Sequence, residues 1–264
     1  MISDKRIDKG KAFDWGRTSE DYAKYRDIYP PEFFKKLVER GIGIKGQKIL
    51  DVGTGTGVLP RHMYSHGAQW TGADISENQI EQAKLLAQKE NMAIDFLTCP
   101  SEQLDFPENS FDVITACQCH WYFDYEVIAP KFAKMLKKGG RFVMLCMEWL
   151  PFEDKIAGAS EEVILKYSPN WSGAGETKKP IPVPEALKEY FDVVDHEEYD
   201  LYVPFTRESW HGRMRACRGV GASLNAEELA RWEEEHWKLM EMIAPEGEFK
   251  IYHFAAIVEL QVKK

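Results

Sequence analysis

Three glycines at alternate positions follow a short apolar run of the sequence. The segment ILDVGTGTG covers residues 49–57, and Asp51 stands two residues before Gly53, the first of these glycines. Glycine allows a backbone to approach a ligand closely and to adopt positive φ, and the N-terminus of a following helix offers unpaired N–H groups to a negative group. The segment therefore predicts a loop that binds a nucleotide-like ligand.

The spacing of the glycines decides between classes of nucleotide-binding loop. A dinucleotide fingerprint that began at Gly55 would need glycine or alanine at position 60, which is Pro60. A fingerprint that began at Gly53 would need glycine or alanine at position 58, which is Val58. A Walker loop is excluded because no GKS or GKT follows. A nicotinamide oxidoreductase is therefore disfavoured, and a GxGxG loop preceded by an acid remains.

The glycine loop belongs to a stretch in which short β-branched runs alternate with helical patterns, as in βαβ units with a parallel sheet. A helix is predicted over residues 77–90, with Ser76 as its cap. Another is predicted over residues 124–138, where Pro130 must lie in the first turn or bend the helix and the Gly139-Gly140 pair ends it. The predicted strands cover residues 48–52, 70–74, 93–98, 111–117, 141–147, 191–199 and 249–262.

We expect one α/β domain over residues 1–264, with a three-layer, doubly wound, Rossmann-like sheet of seven strands whose last strand is antiparallel. Residues 13–41, which are dense in aromatic and charged side chains, are predicted to form an N-terminal helical lid, and residues 42–148 the ligand-binding core. Residues 149–185, rich in Pro and Gly, predict one helix and then a loop. A helical insertion is predicted over residues 206–243.

Charge and composition exclude several classes of partner. The chain has 34 basic and 43 acidic residues and a formal charge of −9, so we do not expect it to bind nucleic acid. Its longest uninterrupted apolar run, residues 142–147, is too short to span a membrane, and its first residues contain no apolar signal core. Five cysteines with one close pair fit neither a disulfide framework nor a zinc site. We expect a cytoplasmic protein without a membrane or metal partner.

The motifs together resemble a class I S-adenosylmethionine-dependent methyltransferase, of the methyltransferase type 11 kind, over roughly residues 13–147. The resemblance implies S-adenosylmethionine as the cofactor. In that family the acid before the glycines and the glycine loop hold the methionine part of the cofactor. The positions that match are Asp51, Gly53, Thr54 and Gly55.

In the same resemblance, the acid that ends the second strand binds the ribose of the cofactor. That position falls on Asp74, with Ile75 against the adenine and Gln79 about one helical turn further on, beside the same ring. A carboxylate can accept hydrogen bonds from both ribose hydroxyls, and an aliphatic side chain gives the purine an apolar wall.

The third matching element departs from the family pattern. Where the family commonly has an aspartate that contacts the adenine amine, this sequence has Pro100, whose side chain cannot make that contact. Ser101, through its backbone N–H, and Glu102, through its side chain, are the predicted substitutes. Gln118, at the end of the fourth strand, is predicted to line the cofactor cleft.

Two further segments make the chain similar to methyltransferases of the trans-aconitate type. QCHWYFD, residues 118–124, is similar to the segment that follows the fourth strand in those enzymes. SEDYAKYRDIYP, residues 19–30, resembles their opening segment, except that Asp27 replaces a proline. In the family the N-terminal Tyr and Arg close over the cofactor. Tyr22 and Arg26, four residues apart on a predicted helix, are therefore assigned to cofactor binding.

His120 is the candidate catalytic residue. A histidine at the carboxyl end of a strand can accept a proton from a substrate hydroxyl near neutral pH. The alternative is a residue that packs or shapes the acceptor pocket beside Trp121, which is itself assigned to that pocket. Methyl transfer does not require a base, because the sulfonium is already an activated electrophile, so both interpretations stay open.

A row of arginines is the candidate for acceptor binding. Arg207, His211, Arg215 and Arg218 are spaced 4, 4 and 3 residues apart, which would place three guanidiniums on one face of the first insertion helix. The functional interpretation is a clamp for an anionic acceptor, because a guanidinium matches a carboxylate bidentately. The alternative is a solvated helix face that is paired with nearby acids.

The predicted activity is direct methyl transfer to a small molecule, with an oxygen of a small carboxylate-bearing metabolite as the acceptor by analogy with the family. N- or C-methylation of a neutral small molecule and a non-catalytic S-adenosylmethionine-binding module are the alternatives. The insertion over residues 206–243 would cover the acceptor side. The protein would be a monomer or a homodimer.

Overall fold

The computed structural model describes residues 3–264, apart from the side chain of Tyr22. The helices of this described chain are α1 (Ser19–Tyr25), α2 (Pro31–Glu39), α3 (Val58–Met63), α4 (Glu77–Lys89), α5 (Tyr125–Met135), α6 (Lys155–Tyr167), α7 (Glu185–Tyr190), α8 (Arg207–Arg215) and α9 (Ala226–Ile243). The strands are β1 (Lys48–Val52), β2 (Gln69–Asp74), β3 (Asp95–Thr98), β4 (Phe111–Cys117), β5 (Leu136–Trp149), β6 (Phe191–Thr206) and β7 (Glu248–Val262).

The strands form one sheet in the order β3-β2-β1-β4-β5-β7-β6. β1 pairs in parallel with β2 and with β4, β2 pairs in parallel with β3, and β4 with β5. The last strand of the chain is antiparallel. The predicted seven-stranded, doubly wound sheet is therefore confirmed. Strand order reverses between β1 and β4, and in open α/β sheets ligands bind outside the carboxyl ends of the strands at such a reversal.

The central strands are apolar runs because both faces of this sheet are covered. Ile49, Leu50 and Val52 of β1 are all buried, as is most of β4. On α4 the residues Ile80 and Ala83 are buried at the helical spacing that the sequence predicts, with the exposed side of the helix carrying its charges. These elements hold the ends of β1 and β2 in fixed positions.

The predicted end of the second helix is wrong. α5 ends at Met135, and the Gly139-Gly140 pair lies inside β5. The register explains this, because Phe111 of β4 pairs with Leu136 whereas Val113 pairs with Arg141, so the start of β5 carries extra residues that bulge out of the ladder. Gly139 has φ of +75° in this bulge. Gly139 therefore provides the positive φ of a bulged strand and does not mark the end of a helix.

The chain divides into two compact units. One consists of the residues up to Ile28 together with Glu148–Lys178 and Asp200–Phe254, and is called the first unit below. The other consists of Tyr29–Met147, Lys179–Tyr199 and Ala255–Lys264, and is called the second unit. The predicted lid over residues 13–41 is shared between the two, and the predicted core over residues 42–148 belongs to the second unit except for its last residue.

The first unit contains the predicted insertion, which is helical through α8 and α9, and the single helix predicted within residues 149–185, which is α6. α1 packs on α8 and α6 packs on α9. A Cβ atom on Gly212 of α8 would lie 2.3 Å from the ring of Tyr25, so only glycine permits this close approach of α1. Trp210 packs at the centre, with ring centroids 5.6 Å from Trp149 and 4.9 Å from Phe205.

None of the helices in residues 3–264 is long and apolar enough to cross a membrane.

Candidate functional site

The glycine loop follows β1 in the second unit and leads into α3. Gly53, Gly55 and Gly57 have φ of +65°, +56° and +73°, a region that side chains with a Cβ rarely adopt. A Cβ atom on Gly53 would also lie 2.7 Å from the Sγ atom of Cys119. The predicted positive φ is confirmed at all three glycines, and at Gly53 the close packing also excludes a larger residue.

Asp51 is buried beneath this loop. Its Oδ2 atom accepts a hydrogen bond of 2.6 Å from the hydroxyl of Thr54, and its Oδ1 atom accepts one of 2.7 Å from Thr115. Burial raises the pKa of Asp51 to about 6, while the two hydroxyl donors oppose that rise. The carboxyl is therefore mostly ionised at pH 7, and its charge is held by the loop and by β4.

Asp74 joins the ends of β1 and β2. Its Oδ2 atom accepts from the N–H of Gly55 and its Oδ1 atom from the N–H of Ser76, each over 2.9 Å. Burial raises the pKa of Asp74, and these two N–H donors oppose the rise. Each carboxylate oxygen has a second lone pair, so Asp74 can still accept two hydrogen bonds from a ligand.

Ile75 and Gln79, which follow Asp74 in the sequence, complete this end of the sheet. Ile75 is 53% exposed, which is unusual for a large aliphatic side chain, and offers an apolar surface beside the carboxylate. Gln79 on α4 is buried, and among the described residues no donor reaches its Oε1 atom. An unpaired buried amide oxygen carries a desolvation cost that a ligand donor would remove. The structure thus brings Asp51, Gly53, Thr54, Gly55 and Asp74 together, with Ile75 and Gln79 on the adjoining segment.

Ser101 and Glu102 lie on a 3₁₀ turn, Ser101–Gln103, that follows β3. Ser101 is buried. The Oε1 atom of Glu102 accepts a hydrogen bond of 3.1 Å from the N–H of Asp124, the residue that caps α5. The Glu102 side chain thus holds the start of α5, a role that the sequence does not reveal.

Gln118 immediately follows β4 and has φ of +61°, an unusual backbone conformation for a residue with a side chain. Its N–H donates to Leu145 over 2.9 Å, and its side-chain Nε2 donates to the carbonyl of Met147. Within the described chain its Oε1 atom is buried without a hydrogen-bond donor. The residue ties the end of β4 to β5 and leaves one acceptor atom for a ligand.

His120 lies in a 3₁₀ turn, His120–Tyr122, just beyond Gln118. It is 8% exposed, and the ring centroid of Trp121 is 4.6 Å away in an edge-to-face arrangement. Burial and, to a smaller extent, the charge of Lys179 lower the pKa of His120 to about 4. The imidazole is therefore neutral at pH 7 and a weak proton acceptor. The neighbouring Trp121 side chain is 41% exposed, so it is accessible to a ligand.

The candidate N-terminal residues belong to the first unit. Tyr22 lies on α1, but its side chain is outside the described part of the structure. Arg26 follows the end of α1 and lies close enough to Glu148 for its charge to lower the pKa of that carboxyl. Glu148, at the end of β5, is absent from the predicted site, although a charged residue directly after the apolar run 142–147 is a signal that could have found it.

The predicted single face of arginines needs correction, because each guanidinium bonds within the first unit. Arg207 donates to the carbonyls of Ala244 and Pro245 over 3.4 and 3.5 Å, at the end of α9. Arg215 forms ion pairs of 3.1 Å with Asp21 and Glu233.

Arg218 lies beyond the end of α8 and is 8% exposed. It forms a two-point ion pair with Asp8 at 2.7 and 3.1 Å, and it donates to the hydroxyl of Ser172 over 2.9 Å. Because these partners are far away in sequence, helical spacing alone could not show that Arg218 fastens loops together instead of facing a ligand.

Residues 50–144 match the family model described as a methyltransferase domain. The ubiquinone biosynthesis O-methyltransferase of Bradyrhizobium diazoefficiens is 33% identical over 171 residues, which cover 62% of this chain and 65% of that relative. The chain thus spans slightly less than two thirds of the relative's length.

Two solved structures have a similar fold. A putative methyltransferase of Bacillus halodurans has a TM-score of 0.53 at 15% identity and covers 87% of this chain and 98% of its own. The YjhP protein of Escherichia coli has a TM-score of 0.53 at 20% identity and covers 94% of this chain and 99% of its own. The match of residues 50–144 to a methyltransferase domain model agrees with the resemblance that the sequence motifs carry, and the two solved structures share the fold.

The buried state of His120 makes its titration a direct test of the site. Because burial lowers its folded-state pKa from the usual 6.5 to about 4, we expect the imidazole to stay neutral until the pH falls to about 4. Protonation opposes folding, so this residue lowers the free energy of unfolding as pH falls from about 6.5 towards 4. NMR of histidine-labelled protein measures the midpoint, and a midpoint near 6.5 would show a solvated imidazole instead.

Replacement of Arg218 and replacement of Arg215 should have different effects on the stability of the protein. Arg218→Gln leaves Asp8 buried without its cation and should lower the free energy of unfolding by about 3–5 kcal/mol. Arg215→Gln, whose side chain is 39% exposed, serves as the matched control and should cost less than about 1 kcal/mol. Urea denaturation measures both, and equal effects would contradict the structural role of Arg218.

Proposed function

We propose that the protein is an S-adenosylmethionine-dependent methyltransferase that transfers a methyl group to an oxygen of a small molecule. The observation that carries this proposal is the position of Asp74, which bridges the N–H groups of Gly55 and Ser76 at the carboxyl ends of β1 and β2. The methyltransferase domain match over residues 50–144 and the O-methyltransferase relative support the same activity.

The residues of the second unit fit this cofactor. Asp74 keeps lone pairs for two adjacent ribose hydroxyls, and exposed Ile75 offers an apolar surface to a purine. The unpaired buried Oε1 atoms of Gln79 and Gln118 need N–H or O–H donors, which the adenine amine and the amino-acid part of the cofactor can supply. Ser101 and Glu102 stay assigned to the adenine, with the Glu102 carboxylate already accepting one bond.

Asp51 acts through its charge and through the loop. Both of its oxygens accept threonine hydroxyls, so it holds Thr54 in place and keeps a buried negative charge beneath Gly53 and Gly55. When bound, S-adenosylmethionine supplies a methyl group on a positively charged sulfur. A fixed negative charge favours a cationic ligand most strongly in surroundings from which water is excluded.

The chemistry at the acceptor depends mainly on orientation, because the methyl group is already activated. His120 remains a candidate proton acceptor, since a neutral imidazole has a free nitrogen lone pair, and its buried Nδ1 atom has no hydrogen-bond partner within the described residues. The prediction of a carboxylate-bearing acceptor now rests on the family resemblance alone, because Arg207, Arg215 and Arg218 are each bonded within the protein.

Replacement of Asp74 tests the cofactor site. Asp74→Ala removes the acceptor of two ligand hydroxyls, and loss of charge-assisted bonds worth about 1.5–3 kcal/mol should weaken S-adenosylhomocysteine binding at least about 10-fold. Calorimetry measures the dissociation constant. Asp105→Ala, which removes an exposed acid outside the site, is the control and should leave it unchanged. No binding of S-adenosylhomocysteine to the unaltered protein at ~1 mM would refute the proposal.

A panel of acceptors tests the methylated atom. With S-adenosylmethionine as donor, the panel contains trans-aconitate as a carboxylate, 3,4-dihydroxybenzoate as a carboxylate that carries hydroxyls, 4-methylcatechol as a neutral diol and tyramine as an amine. Mass spectrometry should find O-methyl products. Products methylated only on nitrogen or carbon would favour the alternative chemistry, and cofactor binding without any product would favour a non-catalytic binding module.

A further inference from the structure

The glycine loop and the turn that carries His120 meet at one side chain of the second unit, that of Cys119. The thiol of Cys119 donates a hydrogen bond of 3.1 Å to the carbonyl of Val52, the last residue of β1. A Cβ atom on Gly53, the next residue, would lie 2.7 Å from the sulfur and 2.8 Å from the Cβ atom of Cys119. The thiol therefore packs directly against the point at which β1 becomes the glycine loop.

The Cys119 thiol has the protonation state that this contact requires. The residue is 8% exposed, so burial raises the pKa of the thiol, and the nearby charge of Asp51 adds to that rise. The sulfur therefore keeps its proton at pH 7 and serves as a donor, not as a nucleophile. A neutral thiol can hold the Val52 carbonyl without adding a charge beside the buried carboxyl of Asp51.

The segment around Cys119 is also fastened to other elements of the same unit. Gln118, the residue before it, donates its N–H to the carbonyl of Leu145 on β5 over 2.9 Å. The hydroxyl of Tyr125, the first residue of α5, donates to the carbonyl of His120 over 2.6 Å. Cys119 thus holds this segment to β1, while Gln118 and Tyr125 hold it to β5 and α5.

The backbone of Cys119 begins the turn of His120. Its carbonyl accepts a hydrogen bond of 3.0 Å from the N–H of Tyr122, which closes the 3₁₀ turn His120–Tyr122. The side chain of Cys119 therefore contacts the glycine loop, and its backbone belongs to the turn assigned to the acceptor. Because one residue makes both contacts, we expect a displacement of the glycine loop to displace His120 and Trp121 as well.

We propose that Cys119 is a positioning residue for methyl transfer, whose thiol keeps the glycine loop and the His120 turn at a fixed separation. This inference rests on the proposed function, because the loop is assigned to the methyl donor and the turn to the acceptor. In this role Cys119 acts through the loop and the turn, and not through contact with the reacting atoms. Alignment of donor and acceptor controls such a reaction, and a displacement of about 1 Å can lower a rate about 100-fold.

Binding of S-adenosylhomocysteine tests the contact with the glycine loop. Cys119→Ala removes the donor and loosens the loop, so the dissociation constant should rise at least about 3-fold, as loss of one hydrogen bond does. Cys119→Ser keeps a hydroxyl donor and should restore most of the affinity. Calorimetry measures the constants. An unchanged affinity in Cys119→Ala, or a loss that Cys119→Ser does not reverse at all, would overturn the proposal.

Cys146 provides the matched control for these variants. It is a buried cysteine on β5 in the same unit, so Cys146→Ala removes the same volume from the same sheet. Thermal unfolding should show that both alanine variants are folded and similarly destabilised. Only Cys119→Ala should lose affinity for S-adenosylhomocysteine. Equal losses in the two variants would show that Cys119 has a merely structural role.

Kinetics test the alignment of the two substrates. With S-adenosylmethionine and any acceptor of the panel that is methylated, Cys119→Ala should lower kcat at least about 10-fold at saturating concentrations of both, because misaligned reactants remain misaligned when bound. Cys119→Ser should recover part of the rate, and Cys146→Ala should retain it. A kcat that stays unchanged in Cys119→Ala would contradict a positioning role, whatever the affinity for the cofactor.

A further measurement needs no ligand and separates this inference from the proposed function. Gly53→Ala places a Cβ atom against Cys119, and Cys119→Gly removes both atoms that this Cβ would meet. In urea denaturation, Gly53→Ala should therefore cost less stability in the Cys119→Gly background than in the original protein. Additive effects would refute the packing on which the role of Cys119 depends. Absence of S-adenosylhomocysteine binding to the unaltered protein would instead refute the proposed function, and the urea measurements would still report the contact.

Discussion

The structure of the candidate site depends on one buried carboxylate and the hydroxyls that surround it. Asp51 pairs in register with Thr115 of β4 and also accepts the hydroxyl of Thr54 in the loop beyond β1. An ionised group taken out of water is tolerated only when such donors compensate it, so the loop cannot move away without exposing an uncompensated charge. Asp74 repeats this arrangement through the N–H of Gly55. The loop is therefore ordered before any ligand binds, which lowers the entropic cost of binding.

Charged residues have two different roles in the described chain. At the carboxyl ends of β1 and β2, Asp74 retains lone pairs for a ligand while it fixes the backbone. Elsewhere opposite charges satisfy one another, as Arg218 and Asp8 do in the first unit and Arg141 and Glu259 do in the second. The overall charge of −9 thus has a local meaning, because the acids assigned to the cofactor, Asp51 and Asp74, lie at the carboxyl ends of β1 and β2.

The parts of the fold that the sequence could predict are those governed by neighbours along the chain. β1 and β4 are short buried runs with turns at their ends, and the glycines after β1 are required by the backbone itself, so both are visible in the sequence. The bulge at Gly139 and the pairing of Arg218 depend on residues distant in the chain, and no periodicity reports them. The hydrogen bond from Thr115 to Asp51 could have been predicted from the sequence, because β1 and β4 lie on either side of the reversal in strand order and are therefore neighbours.

The sheet order has a consequence for how the chain reaches its folded state. β7 lies between β5 and β6, although it follows both of them in the chain. Until β7 has been synthesised, β6 therefore has no strand beside it, and its backbone N–H and C=O groups and exposed Val193 and Val194 form an open edge. The acids that flank these valines, Asp192 and Asp195, give the nascent strand a charge that opposes its pairing with other chains during that interval.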